Sequence, residues 1–493
     1  MCHHSQCCSG DGLSRGVDGL SRRAFLAAAG TTFAGSALAG GWMLRAANAS
    51  EQEAAPPEKP ADWPEIVVAY VRPKAKYWLG WPGTSWEDTY YPEYLKKTRA
   101  QLEQWGRELQ VKVTFLPEPL YDDAAVDACA ARLKEQKPQG VVVFPLHMNI
   151  WGHVQKIADA GAPTIIYAPL GVCFTGHIQK ISKQPGVFLI SSPDFELTRL
   201  RYGLKMVRTA HDIRRVRIAV LHGDQRRDEV LEPLGVRLRH LPRNLFSETL
   251  QKIEDTAEVR ALADEYAKAA QQVVEPNNQD LLNAARNFYA SQQILKDEDC
   301  QGITMDCLGA VYDKHIPCPP CLAWAHFLDM GIPAICEADI NAVMSHTLCC
   351  KLLDKPGFMQ DPVPETVHNT FIGAHCVCAT RLNGYDQPRE PFRLRSHSES
   401  NVGVSVQVLW RPEQPVTIMQ MTGPASMILG RGQVLRNFDT PPAGGCRTSV
   451  ELAIDGPPDT RDTKGFHQLF IYGDHVRDFE AFGQMYGIAT EHI

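Results

Sequence analysis

Apolar and polar positions switch between two periods along most of the chain. Residues 66–71 (IVVAYV) form a β-branched apolar run, 94–109 repeats apolar residues at helical spacing, and 111–116 (VKVTFL) returns to a strand pattern. A helix is expected over 124–136, a strand at 140–146 (GVVVFPL), a helix at 153–161 ending on Gly161, and a strand at 163–169 (PTIIYAP). Such alternation predicts parallel strands joined by crossover helices, so 65–205 reads as an N-terminal α/β domain. A second α/β domain, 206–385, opens on 216–223 (VRIAVLHG). It continues through helical stretches at 247–273 and 278–296, then 302–309 (GITMDCLG), a helix at 321–330, 333–339 (PAICEAD) and a helix at 340–353. Residues 370–379 (TFIGAHCVCA) are expected to close it. Beyond Arg381 the texture changes to short strands at 402–410, 416–423, 425–435 and 449–454, separated by Gly/Pro turns. This predicts an all-β, barrel-like C-terminal domain over 386–493, ending in a strand and an amphipathic helix at 466–488. The expected fold class is α/β: two doubly wound (Rossmann- or flavodoxin-like) parallel-sheet domains, then the barrel-like domain.

Ahead of this lies Ser21-Arg22-Arg23-Ala24-Phe25-Leu26, followed by an Ala/Gly-rich apolar run to Met43 and an A-x-A-like point at Ala47-Asn48-Ala49. This is the pattern of a twin-arginine signal peptide over 1–49, with 50–64 a Pro/Glu/Ala-rich linker. It implies export to the periplasm or beyond, with no stable membrane anchor after cleavage. The net charge of −7 and the lack of a basic stripe argue against a nucleic-acid partner. No G-x-x-x-x-G-K-[ST] loop, no G-x-G-x-x-G after the first strand and no G-x-S-x-G elbow occurs, which argues against nucleotide-dependent chemistry and an elbow-type nucleophile. Of 15 cysteines, several (Cys173, Cys336, Cys349, Cys376, Cys378) stand in apolar runs as small hydrophobes. Cys318 and Cys321 form a C-x-x-C, readable as a disulfide, as packing thiols, or as a redox or zinc pair.

The stretch from Cys336 to Cys378 concentrates candidate chemistry. Glu337, Asp361 and His375 each stand at the end of an apolar segment, and His467 opens another at GFHQLF. Taken singly, Glu337 and Asp339 read as helix caps, Asp361 as a turn residue before Pro362, and His375 as a core histidine. Taken together, two carboxylates and neutral imidazoles suit Mn²⁺ or another divalent metal in an open site. Such a centre holds adjacent sugar oxygens while a carboxylate moves a proton between neighbouring carbons.

Several segments are similar to the L-fucose/L-arabinose isomerase superfamily: PCLAWAHFLDMGIPAICEADINAVMSH, GFMQD, GAHC, GGCRT and GFHQLFIYGDHVRDFEAFGQMYGI. The resemblance implies two α/β domains, a C-terminal barrel-like domain, and an aldose–ketose isomerase working through an enediol. By resemblance, Glu337 of CEAD, Asp361 of FMQD and His467 of GFHQ are metal ligands, with Glu337 and Asp361 the acid/base pair. His375 of GAHC corresponds to a histidine ligand of the arabinose-type enzymes and is a further ligand or a substrate contact. Gln360 occupies the place of the arabinose-type carboxylate. Gln360, Asp339 and His375 are the candidate substrate contacts, with Asp339 also read as the cap of the next helix. The resemblance also implies a monosaccharide substrate and a homo-oligomer, a trimer or hexamer. A second reading keeps the fold and the sugar but not the turnover, as an exported sugar-binding protein. A third is a structural or redox protein built around Cys318 and Cys321.

Overall fold

The structure is a computed structural model and describes residues 63–74, 91–169, 171–192, 197–439 and 445–493. The expected signal peptide and nearly all of the expected linker fall outside the described residues. Five strands build the first sheet: β1 (Glu65–Val71), β2 (Lys112–Phe115), β3 (Gly140–Pro145), β4 (Thr164–Pro169) and β5 (Val187–Ser192). They run parallel in the order β2-β1-β3-β4-β5, the order of an open doubly wound sheet. Every residue of β3 and β4 is buried, as expected where helices cover both faces of a parallel sheet. Helix α1 (Tyr91–Leu109) turns Tyr94, Thr98, Leu102 and Trp105 inward, one apolar stripe at helical spacing. Helices α2 (Asp123–Gln136), α3 (Trp151–Ala158) and α4 (Thr198–Ile213) complete the layer, α1 packing on α4 and α2 on α3.

The second sheet contains β6 (Arg217–Leu221), β7 (Arg227–Leu231), β8 (Val236–Leu241), β10 (Gly302–Met305) and β11 (Ala334–Cys336), while the intervening β9 (Gln272–Val273) pairs elsewhere. The order is β11-β10-β6-β8-β7, parallel except for β7. The β7–β8 hairpin has no counterpart in the sequence reading, because RDEVL is largely solvent-facing and lacks an apolar period. The helix expected over 247–273 is two helices, α5 (Asn244–Leu250) and α6 (Ala257–Ala269). Thr256 caps the second, accepting from Val259 N–H, and so ends the continuity. Helices α7 (Asn278–Asp297), α8 (Cys321–Asp329) and α9 (Ile340–Leu353) follow.

The remaining strands are β12 (Phe358–Glu365), β13 (Thr370–His375), β14 (Phe392–Arg395), β15 (Ser405–Val408), β16 (Pro415–Gly423), β17 (Ser426–Asn437), β18 (Thr448–Asp455), β19 (Gln468–Tyr472) and β20 (Ala489–His492), with α10 (Val476–Tyr486) before the last. The order β16-β19-β12-β13-β18-β17 closes through a β16–β17 pairing, a six-stranded antiparallel barrel with β20 added outside on β17. Strands β9, β14 and β15 form a small separate sheet.

The segment 370–379, expected to close the second α/β unit, belongs instead to this barrel. Its strand stops at His375 and pairs antiparallel with β12 and β18. An apolar run reads the same in a buried parallel strand and in a barrel wall. Strand β12 changes neighbours along its length: Phe358–Gln360 pair with β19, and Asp361–Glu365 pair with β13. Pro362 and Pro364 therefore lie where the β19 side carries no ladder, the position a strand tolerates proline. Among the described residues no helix is long and apolar enough to cross a membrane.

Candidate metal centre

Strand β11 ends at Cys336, and the chain turns sharply before α9. Glu337 and Ala338 make that turn with φ of 63° and 54°. Asp339 then caps α9, its Oδ1 accepting from Ala342 N–H at 2.8 Å. On the barrel side, Gln360 and Gln468 are the last facing pair of β12 and β19. One residue beyond them the two strands part, and there Asp361 and His467 stand. His467 also has a left-handed backbone, φ 57°, which turns it out of the strand line. His375 is the last residue of β13. The site thus joins the carboxyl end of one parallel strand to the open seam of the barrel. Glu337 follows a parallel strand, whereas Asp361 and His375 come from antiparallel strands.

The ligand atoms of Glu337, His375 and His467 lie within 4.8 Å of one another. His375 Nε2 is 3.7 Å from Glu337 Oε1, and His467 Nε2 is 3.5 Å from Glu337 Oε2 and 3.2 Å from Asp361 Oδ1. The imidazoles form the floor, with His375 5% and His467 4% exposed. The carboxylates form the rim, their side chains 34% exposed for Glu337 and 33% for Asp361.

One contact organises the group. His467 Nδ1 donates to Asp339 Oδ2 at 2.7 Å, fixing the ring so that Nε2 faces the two rim carboxylates. That Nε2 is buried and, though close to both, meets neither in hydrogen-bonding geometry. A buried imidazole nitrogen oriented by a carboxylate from behind and left without a hydrogen-bond partner in front is the arrangement of a metal-ligating histidine. The three-residue group supplies one carboxylate oxygen and two imidazole nitrogens, a donor set that suits a divalent cation, and Asp361 lies beside it, 3.2 Å from His467 Nε2. In the absence of a cation, burial pulls the His467 pKa down, but the carboxylates of Asp339, Asp361 and Glu337 outweigh it and lift the value to about 9. His375 is raised in the same way: burial opposes its charge, and Glu337 and Asp361 prevail. Burial pushes Asp339 up, but His467 and the helix N–H groups more than reverse that, so its pKa is lowered.

The structure therefore groups Glu337, His375 and His467, with Asp361 against His467 Nε2 and Asp339 behind the ring. Both oxygens of Asp339 are engaged, one by the helix and one by the ring. Gln360, expected beside the substrate, stands apart: it is fully buried and its amide donates to Gln468 Oε1 at 2.9 Å. It packs with the Phe470 ring over Gly373, where an added Cβ would overlap Phe470 and reach Gln360 Cγ at 2.9 Å. Sequence reasoning did not find the Asp339–His467 pairing, which spans 128 positions. It also passed over Phe466, 58% exposed with its ring 4.4 Å from that of His467. The cysteines around the site are free thiols; Cys318 and Cys321 are both buried and unbonded to each other. A cleft of about 610 Å³ lined by Leu250, Arg286, Lys314, His315 and Val402 contains none of the candidate ligands.

No family model matches the chain, and no curated protein matches it. Among solved structures it is similar to an ABC transporter solute-binding protein from Burkholderia multivorans with an unknown ligand treated as alpha-D-erythrofuranose. The identity is 10%, the TM-score 0.19, and the match covers 52% of this chain and 86% of that one. It is also similar to a periplasmic solute-binding protein of an ABC transporter from Actinobacillus succinogenes with bound D-allose, at 12% identity and a TM-score of 0.18, over 58% and 91% of the two chains. At TM-scores that low, fold and function have to be argued from this chain's own residues.

Proposed function

We propose that the chain is a divalent-metal-dependent aldose–ketose isomerase, an intramolecular oxidoreductase acting on a pentose or deoxy-sugar. The observation that supports this most is the His467 Nε2 held by Asp339 toward two solvent-facing carboxylates. Glu337, Asp361, His467 and His375 would hold the cation. When bound, a Mn²⁺-like ion supplies Lewis acidity that polarises a sugar carbonyl and its neighbouring hydroxyl. The chain's own groups do the rest. One rim carboxylate takes the proton from the carbon beside the carbonyl while the other, protonated, gives its proton to the carbonyl oxygen, forming the enediol; the first then returns its proton to the former carbonyl carbon as the second takes up the proton of the neighbouring hydroxyl. The buried imidazole floor keeps water from one side, and Asp339 holds His467 in the required tautomer. The same proposal includes two doubly wound domains over 65–205 and 206–385, the second lending β12 and β13 to the barrel. It also includes export by the twin-arginine route and assembly as a trimer or hexamer.

The test uses purified protein loaded with Mn²⁺, a panel of aldopentoses and 6-deoxyaldohexoses, and detection of ketose. Glu337→Gln and Asp361→Asn are each expected to abolish turnover and weaken Mn²⁺ binding. Full activity in either variant refutes the assignment. Sugar binding without ketose formation in the unmodified chain favours the binding-protein reading.

A further inference from the structure

The cleft of about 610 Å³ contains none of the candidate metal ligands. It is built from the end of α5, Arg286 on α7, residues 311–317 around the end of the short helix Cys307–Tyr312, and the loop between β14 and β15. His315 also lines a cavity of about 310 Å³ together with Gly223, Asp224 and Arg243. Gly223 comes just after β6 and Arg243 just after β8, so the cleft opens beside the carboxyl ends of two parallel strands. The chain leaves β6 to build β7 and β8 on one side and returns to build β10 and β11 on the other. Such a reversal of strand order is where open α/β sheets take ligands.

The charge of the cleft is one-sided. Its lining includes Arg286, Lys314 and His315 but no carboxylate. Arg286 donates from Nε to Ile253 O at 2.9 Å and from Nη2 to Leu250 O at 3.2 Å. These bonds fix the guanidinium at the end of α5 and leave Nη1 without a hydrogen bond among the described residues. Capping of the α5 carbonyls accounts for the donors of Arg286 that are used, but not for its unmatched charge. Among the described residues neither Arg286 nor Lys314 has a carboxylate within ion-pair distance, whereas Arg217, Arg226, Arg239, Arg243 and Arg260 each have one. Much of the remaining wall is apolar, with Leu250, Val311, Ile316 and Val402. Two permanent positive charges beside an apolar wall match a dianion with an apolar body. A phosphate monoester carries about −1.5 to −2 charges at neutral pH and three acceptor oxygens, which suit the paired N–H groups of arginine and the point charge of lysine. The volume lies within the roughly 300–1,000 Å³ of small-molecule sites.

We propose that this cleft binds a small phosphate monoester. Arg286 and Lys314 hold the phosphate with His315 beside it, and the organic group lies against Leu250, Ile316 and Val402. This site goes beyond the isomerase reading and does not depend on it.

The experiment is calorimetric titration of the full chain with phenyl phosphate in low-salt buffer free of phosphate and of added metal. Inorganic phosphate, benzoate and phenol serve as comparison ligands. The expected result is that phenyl phosphate binds more tightly than any of the three. Lys314→Gln and Arg286→Gln are each expected to weaken it by about tenfold or more, the size of a lost charge-assisted contact. Arg286→Gln also removes contacts to α5, so thermal unfolding establishes that it is folded; Lys314 is exposed, and its variant carries the test if the other does not fold. Glu337→Gln is expected to leave phenyl phosphate binding unchanged, which separates this site from the candidate metal centre. Benzoate or inorganic phosphate binding as tightly as the ester overturns the proposal. So does the absence of phenyl phosphate binding, an unchanged affinity in Lys314→Gln, or a lost affinity in Glu337→Gln.

Discussion

Asp339 does two things with two oxygens, and one substitution separates them. Its Oδ1 caps α9 through Ala342 N–H at 2.8 Å, and its Oδ2 accepts from His467 Nδ1 at 2.7 Å. In Asp339→Asn the oxygen can keep the cap, since asparagine caps about as well as aspartate. The amide nitrogen then faces His467 Nδ1 as a donor. The ring must answer with a lone pair at Nδ1 and carry its proton on Nε2, the atom 3.2 Å from Asp361. That closes the nitrogen a cation would use. Reversing the amide restores the tautomer but places an NH₂ against the helix N–H, at a cost of about 1 kcal/mol in lost capping. Removing such an outer partner typically weakens metal binding by about 10–100-fold, or about 1.4–2.7 kcal/mol. Asp339→Ala loses both contacts and should lower stability by a further ~1 kcal/mol. Calorimetric titration with Mn²⁺ and urea unfolding on both variants read the two effects independently. The expected pattern is weak binding with near-normal stability for the asparagine variant, and both defects for the alanine variant. Unchanged Mn²⁺ affinity in Asp339→Asn would refute the role assigned to this pair.

Gly373→Ala adds a methyl group against the buried Phe470 ring and Gln360, an overpacking expected to cost about 1–3 kcal/mol; an unchanged urea midpoint would show that the barrel gives way easily. His346, on α9, is fully buried with neither ring nitrogen hydrogen-bonded, and burial lowers its pKa to about 3. Because the unfolded ring titrates near 6.5, its contribution to stability is present above that pH and is lost as pH falls toward 3. His346→Leu should therefore be at least as stable at pH 7, and should remove about 2 kcal/mol of the stability lost between pH 6.5 and 5. An identical pH profile for the variant would contradict this. Asp329, with a side chain 3% exposed, accepts from Thr380, Arg381 and Arg389. Asp329→Ala leaves two buried Thr380 donors unpaired and takes from Arg389 one of its two carboxylate partners, Glu265 being the other, and should cost about 3 kcal/mol by urea unfolding.

Legibility in the sequence followed locality. The helix expected over 340–353 has those bounds in the structure, and its Asp339 cap is where the residue type suggests. The β-branched runs of the first sheet are equally plain, because burial on both faces leaves an unbroken apolar signature. What stayed hidden depends on pairing. Strand β12 reads as a turn, since Pro362 and Pro364 conceal a ladder that exists on one side only. Whether 370–379 joins a parallel sheet or a barrel is decided by β18, about 75 residues downstream. At the candidate site the residue types were visible, and their resemblance to known ligands singled out Glu337, Asp361, His375 and His467. The division of labour was not visible. That Asp339 backs His467, and that Gln360 belongs to the barrel packing, follows from distances no local pattern encodes.

The left-handed backbones of Glu337, Ala338 and His467 bear on how this protein could change over time. Non-glycine residues rarely adopt such φ values, and each costs of order 1 kcal/mol or more that the surroundings must offset. Eight other non-glycine residues among those described share this conformation, but only here do three of them meet at one group of candidate ligands, so the centre is one place where the chain gives up stability. Ala338→Gly would relax one of these residues while freeing the turn that aims Glu337. Selection for robustness alone would erode this turn first, and selection for the site's geometry would hold it in place.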